Sequence, residues 1–130
     1  MAALEALAIL REEDLSRRSR ELGDLLVKTI LDEKPPHLKE ISGDGLFRAV
    51  VLDIPPANEE GGMTKIQGRR LCALLASRGV LASATGSGAR VRLCPPLTIE
   101  REKLVEGAKI VAQGLRDLES YDADLGWLLM

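Results

Sequence analysis

The sequence predicts an α+β fold in two layers, a three- to four-stranded, mostly antiparallel sheet with helices packed on one face. Three observations predict it. Periodicity changes along the chain in the order helix, helix, strand, strand, helix, strand, strand, helix, which favours an antiparallel or mixed sheet over a parallel one. Short glycine turns, Gly43-Asp44-Gly45 and Gly86-Ser87-Gly88, separate the members of each strand pair, as hairpins require. Finally, 130 residues make one domain, and with 45% apolar but only 2% aromatic residues its core must be aliphatic.

Each element has a local cause. Ala2 to Leu10 is a strong helix-forming string with no capping residue before it, so it reads as a helix entered partway along. From Asp14 to about Glu33, Leu15, Leu22, Leu26 and Ile30 share one helical face, and Lys34-Pro35-Pro36 stops the helix. Extended runs follow over Leu38 to Ser42 and Leu46 to Ile54. A polar loop from Pro55 to Gly62 leads to a helix over Lys65 to Arg78, with Ile66, Leu71, Leu74 and Leu75 at helical spacing and Gly79 as its C-cap. Val80 to Thr85 and Arg90 to Cys94 are two more strands. The second alternates, placing Arg90 and Arg92 on one face and Val91 and Leu93 on the other. Pro95-Pro96 ends it, and Thr98 is placed to cap a last helix with Glu100 and Glu102 at its start. Leu104, Ala108, Val111, Leu115 and Leu118 form that helix's apolar stripe.

Composition removes several function classes. Three aromatics, Phe47, Tyr121 and Trp127, give no stacking platform for single-stranded nucleic acid. A formal net charge of -2 removes the broad positive footprint that duplex binding needs, so no nucleic-acid partner is expected. One histidine, His37, and two separated cysteines, Cys72 and Cys94, cannot build a zinc site, so no metal is expected. No run approaches the roughly 18 to 20 apolar residues that span a bilayer, which predicts a soluble protein with no membrane partner.

Between Thr64 and Arg92 there is no acidic residue but there are six basic ones, Lys65, Arg69, Arg70, Arg78, Arg90 and Arg92. The helical members read as a solvated face. Arg90 and Arg92 stand on one face of a short strand, roughly 7 Å apart along it. A guanidinium is a planar fork that matches carboxylate or phosphate oxygens, so this pair is either an anion receptor or two arginines on an exposed sheet face. Gly86-Ser87-Gly88 lacks the following helix and Gly-Lys-Ser/Thr ending of a phosphate loop. Cys72 and Cys94 read as small buried hydrophobes, and His37 as a loop residue. No pair of carboxylates and no Ser-His-Asp set stands out, so the chain carries no complete catalytic set. The last residues, Tyr121 to Met130, hold two of the three aromatics and either dock on the sheet, reach a partner or fray.

At Val91-Arg92-Leu93-Cys94-Pro95-Pro96-Leu97-Thr98-Ile99 the sequence resembles the C-terminal small domain of class III pyridoxal-phosphate aminotransferases. Ala3-Leu4-Glu5-Ala6-Leu7 into Arg11-Glu12-Glu13-Asp14-Leu15 looks like the family's helix arriving from its large domain, and Gly43-Asp44-Gly45-Leu46 like its glycine-bracketed turn. Leu46 to Asp53 and Gly79-Val80-Leu81-Ala82 are most similar to the ornithine aminotransferases. The resemblance covers residues 1–119 as the small domain and leaves 120–130 as a tail. Ser42 stands where the family commonly has arginine, and Ser83-Ala84 where the ornithine branch usually has lysine and proline.

The resemblance implies amino transfer from ornithine to 2-oxoglutarate through pyridoxal phosphate, with Arg92 receiving the substrate α-carboxylate. It also implies that the Schiff-base lysine, the aspartate facing the pyridine nitrogen and the phosphate loop lie in a large domain upstream. None of the six lysines here matches the catalytic position. The chain alone is then expected to bind no cofactor and to be inactive. Its expected partners are that large domain, small amino and keto acids, and further copies in a homo-oligomer, in the cytoplasm or mitochondrial matrix. The alternative is a non-catalytic binding or oligomerisation module with the same fold.

Overall fold

The computed structural model describes residues 14–53, 62–85 and 89–118, with the side chains of residues 62–66 excepted. The opening helix from Ala2, most of the Pro55 to Gly62 loop, the Gly86-Ser87-Gly88 turn and the tail from Ser120 lie outside the described residues. Among the described residues there are three helices and four strands: α1 (Leu15–Asp32), β1 (Leu38–Asp44), β2 (Phe47–Leu52), α2 (Gly62–Ser77), β3 (Ser83–Thr85), β4 (Arg90–Leu93) and α3 (Arg101–Asp117). The sheet order is β1-β2-β4-β3 and every pairing is antiparallel, so the α+β expectation holds.

Strand alternation divides the sheet into a covered and an open face. Val50 and Leu52 of β2 and Val91 and Leu93 of β4 join Leu22, Leu26 and Ile30 of α1, Leu71 and Leu75 of α2, and Leu104, Ala108, Val111 and Leu115 of α3 in one aliphatic cluster. All of these are buried, and the helical members come from the three predicted stripes, of which the Ile66 side chain lies outside the described residues. Burying aliphatic surface from both layers is the main force holding them together.

Two glycines work by close approach or by handedness. Gly23 of α1 lies directly on the hairpin between β1 and β2, where a Cβ would strike the Gly45 backbone. Toward the opposite edge of the sheet, ahead of β3, Gly79 has φ +89° and ends α2 as expected. Its N–H donates to Ala76 O at 3.1 Å and the next N–H, of Val80, donates to Leu75 O at 2.9 Å. These two bonds make a Schellman cap, which satisfies carbonyls left over at the helix end.

Three local expectations shift. The β1–β2 turn is Gly45-Leu46, flanked by the pair Asp44 and Phe47, so Gly43 and Asp44 belong to the strand. Arg48 accounts for this: its side chain, on the covered face and only 13% exposed, donates to Gly43 O at 2.7 Å and Gly45 O at 2.8 Å and lies 3.5 Å from Asp24. Strand β3 begins at Ser83 rather than Val80, because the Val80 N–H is committed to the helix cap. Thr98 does not cap α3. The Ile99 N–H donates to Pro96 O at 3.0 Å, which places Thr98 inside a turn and moves the N-cap to Glu100.

Candidate functional site: the arginine row on the open face

Strand β4 is central, hydrogen-bonded to β2 on one side and β3 on the other. A short strand held on both edges is a stiff mount for a side chain. The Pro95-Pro96 segment after it is fastened to α1: the Arg18 guanidinium donates to Leu97 O at 3.0 Å and to Ile99 O at 2.6 Å. The mount is therefore held at its exit as well as along its length.

Register puts two rows of side chains across the open face. One row runs Ser42, Ala49, Arg92, Ser83, and the next runs Glu40, Val51, Arg90, Thr85. Arg92 thus has only small neighbours on either side. Two of the three positions at which the sequence departs from the family pattern, Ser42 and Ser83, fall in its row, and the third, Ala84, pairs with Val91. One side chain does meet Arg92: its guanidinium carbon sits 5.5 Å from the centroid of the Phe47 ring, within the range of a cation–π contact.

The basic run divides into paired and unpaired members. Arg78 of the α2 end binds Asp117 of α3 at 2.7 Å and so ties two helices, while Arg70 donates to Gln67 within α2 at 3.1 Å. Neither Arg90 nor Arg92, both exposed, has a hydrogen bond or ion pair among the described residues. Two unpaired guanidinium groups on a rigid open face can take an anionic oxygen pair edge-on. Of the sequence candidates, the structure brings Arg90 and Arg92 together and sets Arg78 and Arg70 apart from them.

The remaining candidates are Cys72, Cys94 and His37. Burial pushes the Cys72 thiol up to about 11, so it is inert at neutral pH, as a core residue should be. Cys94 is not the buried hydrophobe its sequence suggests: it is exposed, one residue past the end of β4. His37 lies in the loop before β1 with φ +64°, and its carbonyl accepts the Asp53 N–H at 2.7 Å. Among the described residues no group of three potential ligands could hold a metal, and no helix is long and apolar enough to cross a membrane. A groove of about 620 Å³ lies elsewhere, between α3 and the Gly79-Val80-Leu81 segment, with Cys94, Pro95 and Ile99 in its wall. Arg92 does not line it.

Sequence reasoning assigned nothing to Phe47, Arg18 or Arg48. Phe47 depends on the register between β2 and β4, Arg18 on contacts across roughly eighty residues, and Arg48 on a core-facing arginine at a turn, which no local pattern announces.

Residues 1–115 match the class-III aminotransferase family. The chain is 35% identical over 120 residues to an ornithine aminotransferase of Schizosaccharomyces pombe, covering 92% of this chain and 26% of that protein. It is 34% identical over 110 residues to the mitochondrial ornithine aminotransferase of Arabidopsis thaliana, covering 82% and 22%. Among solved structures it resembles the acetylornithine aminotransferase of Elizabethkingia anophelis, with TM-score 0.71 and 30% identity over 87% of this chain and 27% of that one. The ornithine aminotransferase of Toxoplasma gondii gives TM-score 0.73 and 28% identity over 91% and 26%. This chain therefore spans about a quarter of the length of the curated relatives it matches. A match along nearly its whole length, carried by the fold that mounts Arg92, places the chain in the class III aminotransferases.

Proposed function

We propose that the chain is the small-domain portion of an ornithine-type transaminase, which moves an amino group from ornithine to 2-oxoglutarate, and that its contribution to the site is Arg92. The observation that carries this is an unpaired guanidinium on a central strand, flanked by Ser42, Ala49 and Ser83, which leaves its donor edge open. A carboxylate on that edge is oriented by two parallel hydrogen bonds, which fixes the rest of an amino or keto acid relative to the sheet. Ornithine aminotransferases among the relatives support the choice of substrate class.

Class III aminotransferases use pyridoxal phosphate, and the described residues do not form a site for it. A Schiff-base lysine is activated by desolvation or by a neighbouring cation, yet Lys28, Lys34, Lys39, Lys103 and Lys109 are all solvent-exposed. The large domain of the same enzyme would hold the cofactor, and the complete protein would be a homo-oligomer. By itself the chain is inactive.

The test has two readouts on one preparation. Titrated with pyridoxal phosphate, the chain should show no stoichiometric Schiff-base absorbance that reduction fixes on a single lysine. Titrated with 2-oxoglutarate at millimolar levels, it should bind through Arg92, and Arg92→Ala should abolish that binding. A single reducible lysine adduct would sink the claim of inactivity, and equal binding by Arg92→Ala would sink the role of the arginine.

A further inference from the structure

We infer that Phe47 is a positioning residue for Arg92, holding the guanidinium by one face so that its edge is presented to a substrate carboxylate; this rests on the carboxylate-receptor role proposed above. Ala49 is the cross-strand partner of Arg92, so Phe47, two residues earlier on β2, is its diagonal neighbour on the open face. Diagonal neighbours lie about 7–8 Å apart at the backbone, a gap that an aromatic and a long side chain can close together. They do close it, to 5.5 Å between guanidinium carbon and ring centroid. Ala49 is small enough to leave that diagonal unobstructed.

The direction of the lean matters. Arg90 stands on the same face two residues away along β4, and its like charge disfavours a guanidinium that swings toward it. Phe47 lies on the opposite side of Arg92 and attracts it, so repulsion and attraction select the same side-chain direction. A guanidinium stacked on a ring keeps every in-plane N–H free, because the ring occupies a face and a carboxylate binds an edge. One cation then makes both contacts without competition. An arginine side chain on an open face otherwise samples many rotamers, and ordering it beforehand lowers the entropy lost when the carboxylate arrives. Phe47 is 62% exposed, so its ring contributes little to the core and can be replaced without unfolding the sheet.

Three variants of the chain test the assignment: Phe47→Leu removes the quadrupole and keeps bulk, Phe47→Tyr keeps the ring, and Arg92→Ala removes the receptor. In the nitrogen-15 spectrum the Arg92 Nε–H proton should be shifted upfield by the ring in the native chain and in Phe47→Tyr, and should lose that shift in Phe47→Leu. The dissociation constant for 2-oxoglutarate should rise roughly two- to fivefold in Phe47→Leu and return in Phe47→Tyr, the size expected of an exposed cation–π contact. A purely structural role would not produce the ring-current shift or its rescue by tyrosine. If Arg92→Ala binds as well as the native chain, or the native chain does not bind, the receptor role fails and this inference fails with it. If Arg92→Ala loses binding while Phe47→Leu changes neither the affinity nor the Nε–H shift, the receptor role stands and the role of Phe47 is overturned.

Discussion

At the scale of single residues the chain is most sensitive where backbone approaches backbone. A Cβ on Gly23 would meet the carbonyl, carbonyl carbon and Cα of Gly45, none of which can rotate away as a side chain can. By contrast, Gly107 of α3 has nothing within 4 Å of its would-be Cβ, and its φ is not in the left-handed region. The same substitution should therefore act in opposite directions. Gly23→Ala should destabilise by about 1–3 kcal/mol or more through overpacking against the hairpin. Gly107→Ala should stabilise by up to about 1 kcal/mol, because alanine loses less backbone entropy in a helix. Urea unfolding of the two variants beside the native chain decides the matter, and equal midpoints would show that α1 does not sit on the hairpin as described. Because Gly45 precedes β2, a displaced hairpin would also move Phe47 and Arg48, and with them the floor of the arginine row.

At the scale of elements, ion pairs at the helix ends tie the helical layer together. Arg78 at the end of α2 binds Asp117 at the end of α3, and Arg116 of α3 reaches both the carbonyl and the carboxylate of Glu33 beyond α1. The hydrogen bond from Arg78, followed by that from Gln113, holds the Asp117 carboxyl below the usual carboxylate range despite the opposing effect of burial. A carboxyl whose folded-state pKa is lowered stabilises the fold above its unfolded-state value, and that contribution disappears as pH falls through the folded-state value. The stability gap between the native chain and Asp117→Asn should thus be constant from neutral pH down to the ordinary carboxylate range and shrink below it. Denaturation midpoints measured from pH 7 to pH 2 check this, and a gap independent of pH would remove Arg78–Asp117 as the cause. These ties were not legible in the sequence, since each joins residues far apart in the chain. Periodic features were legible: the stripe from Leu15 to Ile30, the alternation of Arg90 and Arg92, and Gly79 as a cap all follow from spacing within one element. Register was not. Ser42, Ala49 and Ser83 become neighbours of Arg92 only once strand order and pairing are known, and Thr98 lost its capping role to a turn made by Pro96, five residues before the helix that it was expected to start.

At the scale of the whole molecule, three helices cover one face of the sheet and leave the described chain with two different bare surfaces. The open face carries Phe47, Arg90 and Arg92 and is suited to anions, whereas the groove between α3 and Gly79-Val80-Leu81 is mostly apolar and is lined by neither arginine. Exposed apolar patches of this kind bind neutral hydrophobic probes. Leu81 is 88% exposed at the rim of the groove, so replacing it should change stability by no more than about 0.5 kcal/mol. A neutral solvatochromic dye such as Nile red should therefore gain fluorescence with the native chain and lose most of that gain with Leu81→Asp, which puts a charge at the rim. Arg92→Ala should leave the dye signal unchanged while abolishing 2-oxoglutarate binding, and Leu81→Asp should do the reverse. If one substitution removed both signals, the two surfaces would be a single site, and the separation of carboxylate binding on the open face from apolar contact on the helical side would fail.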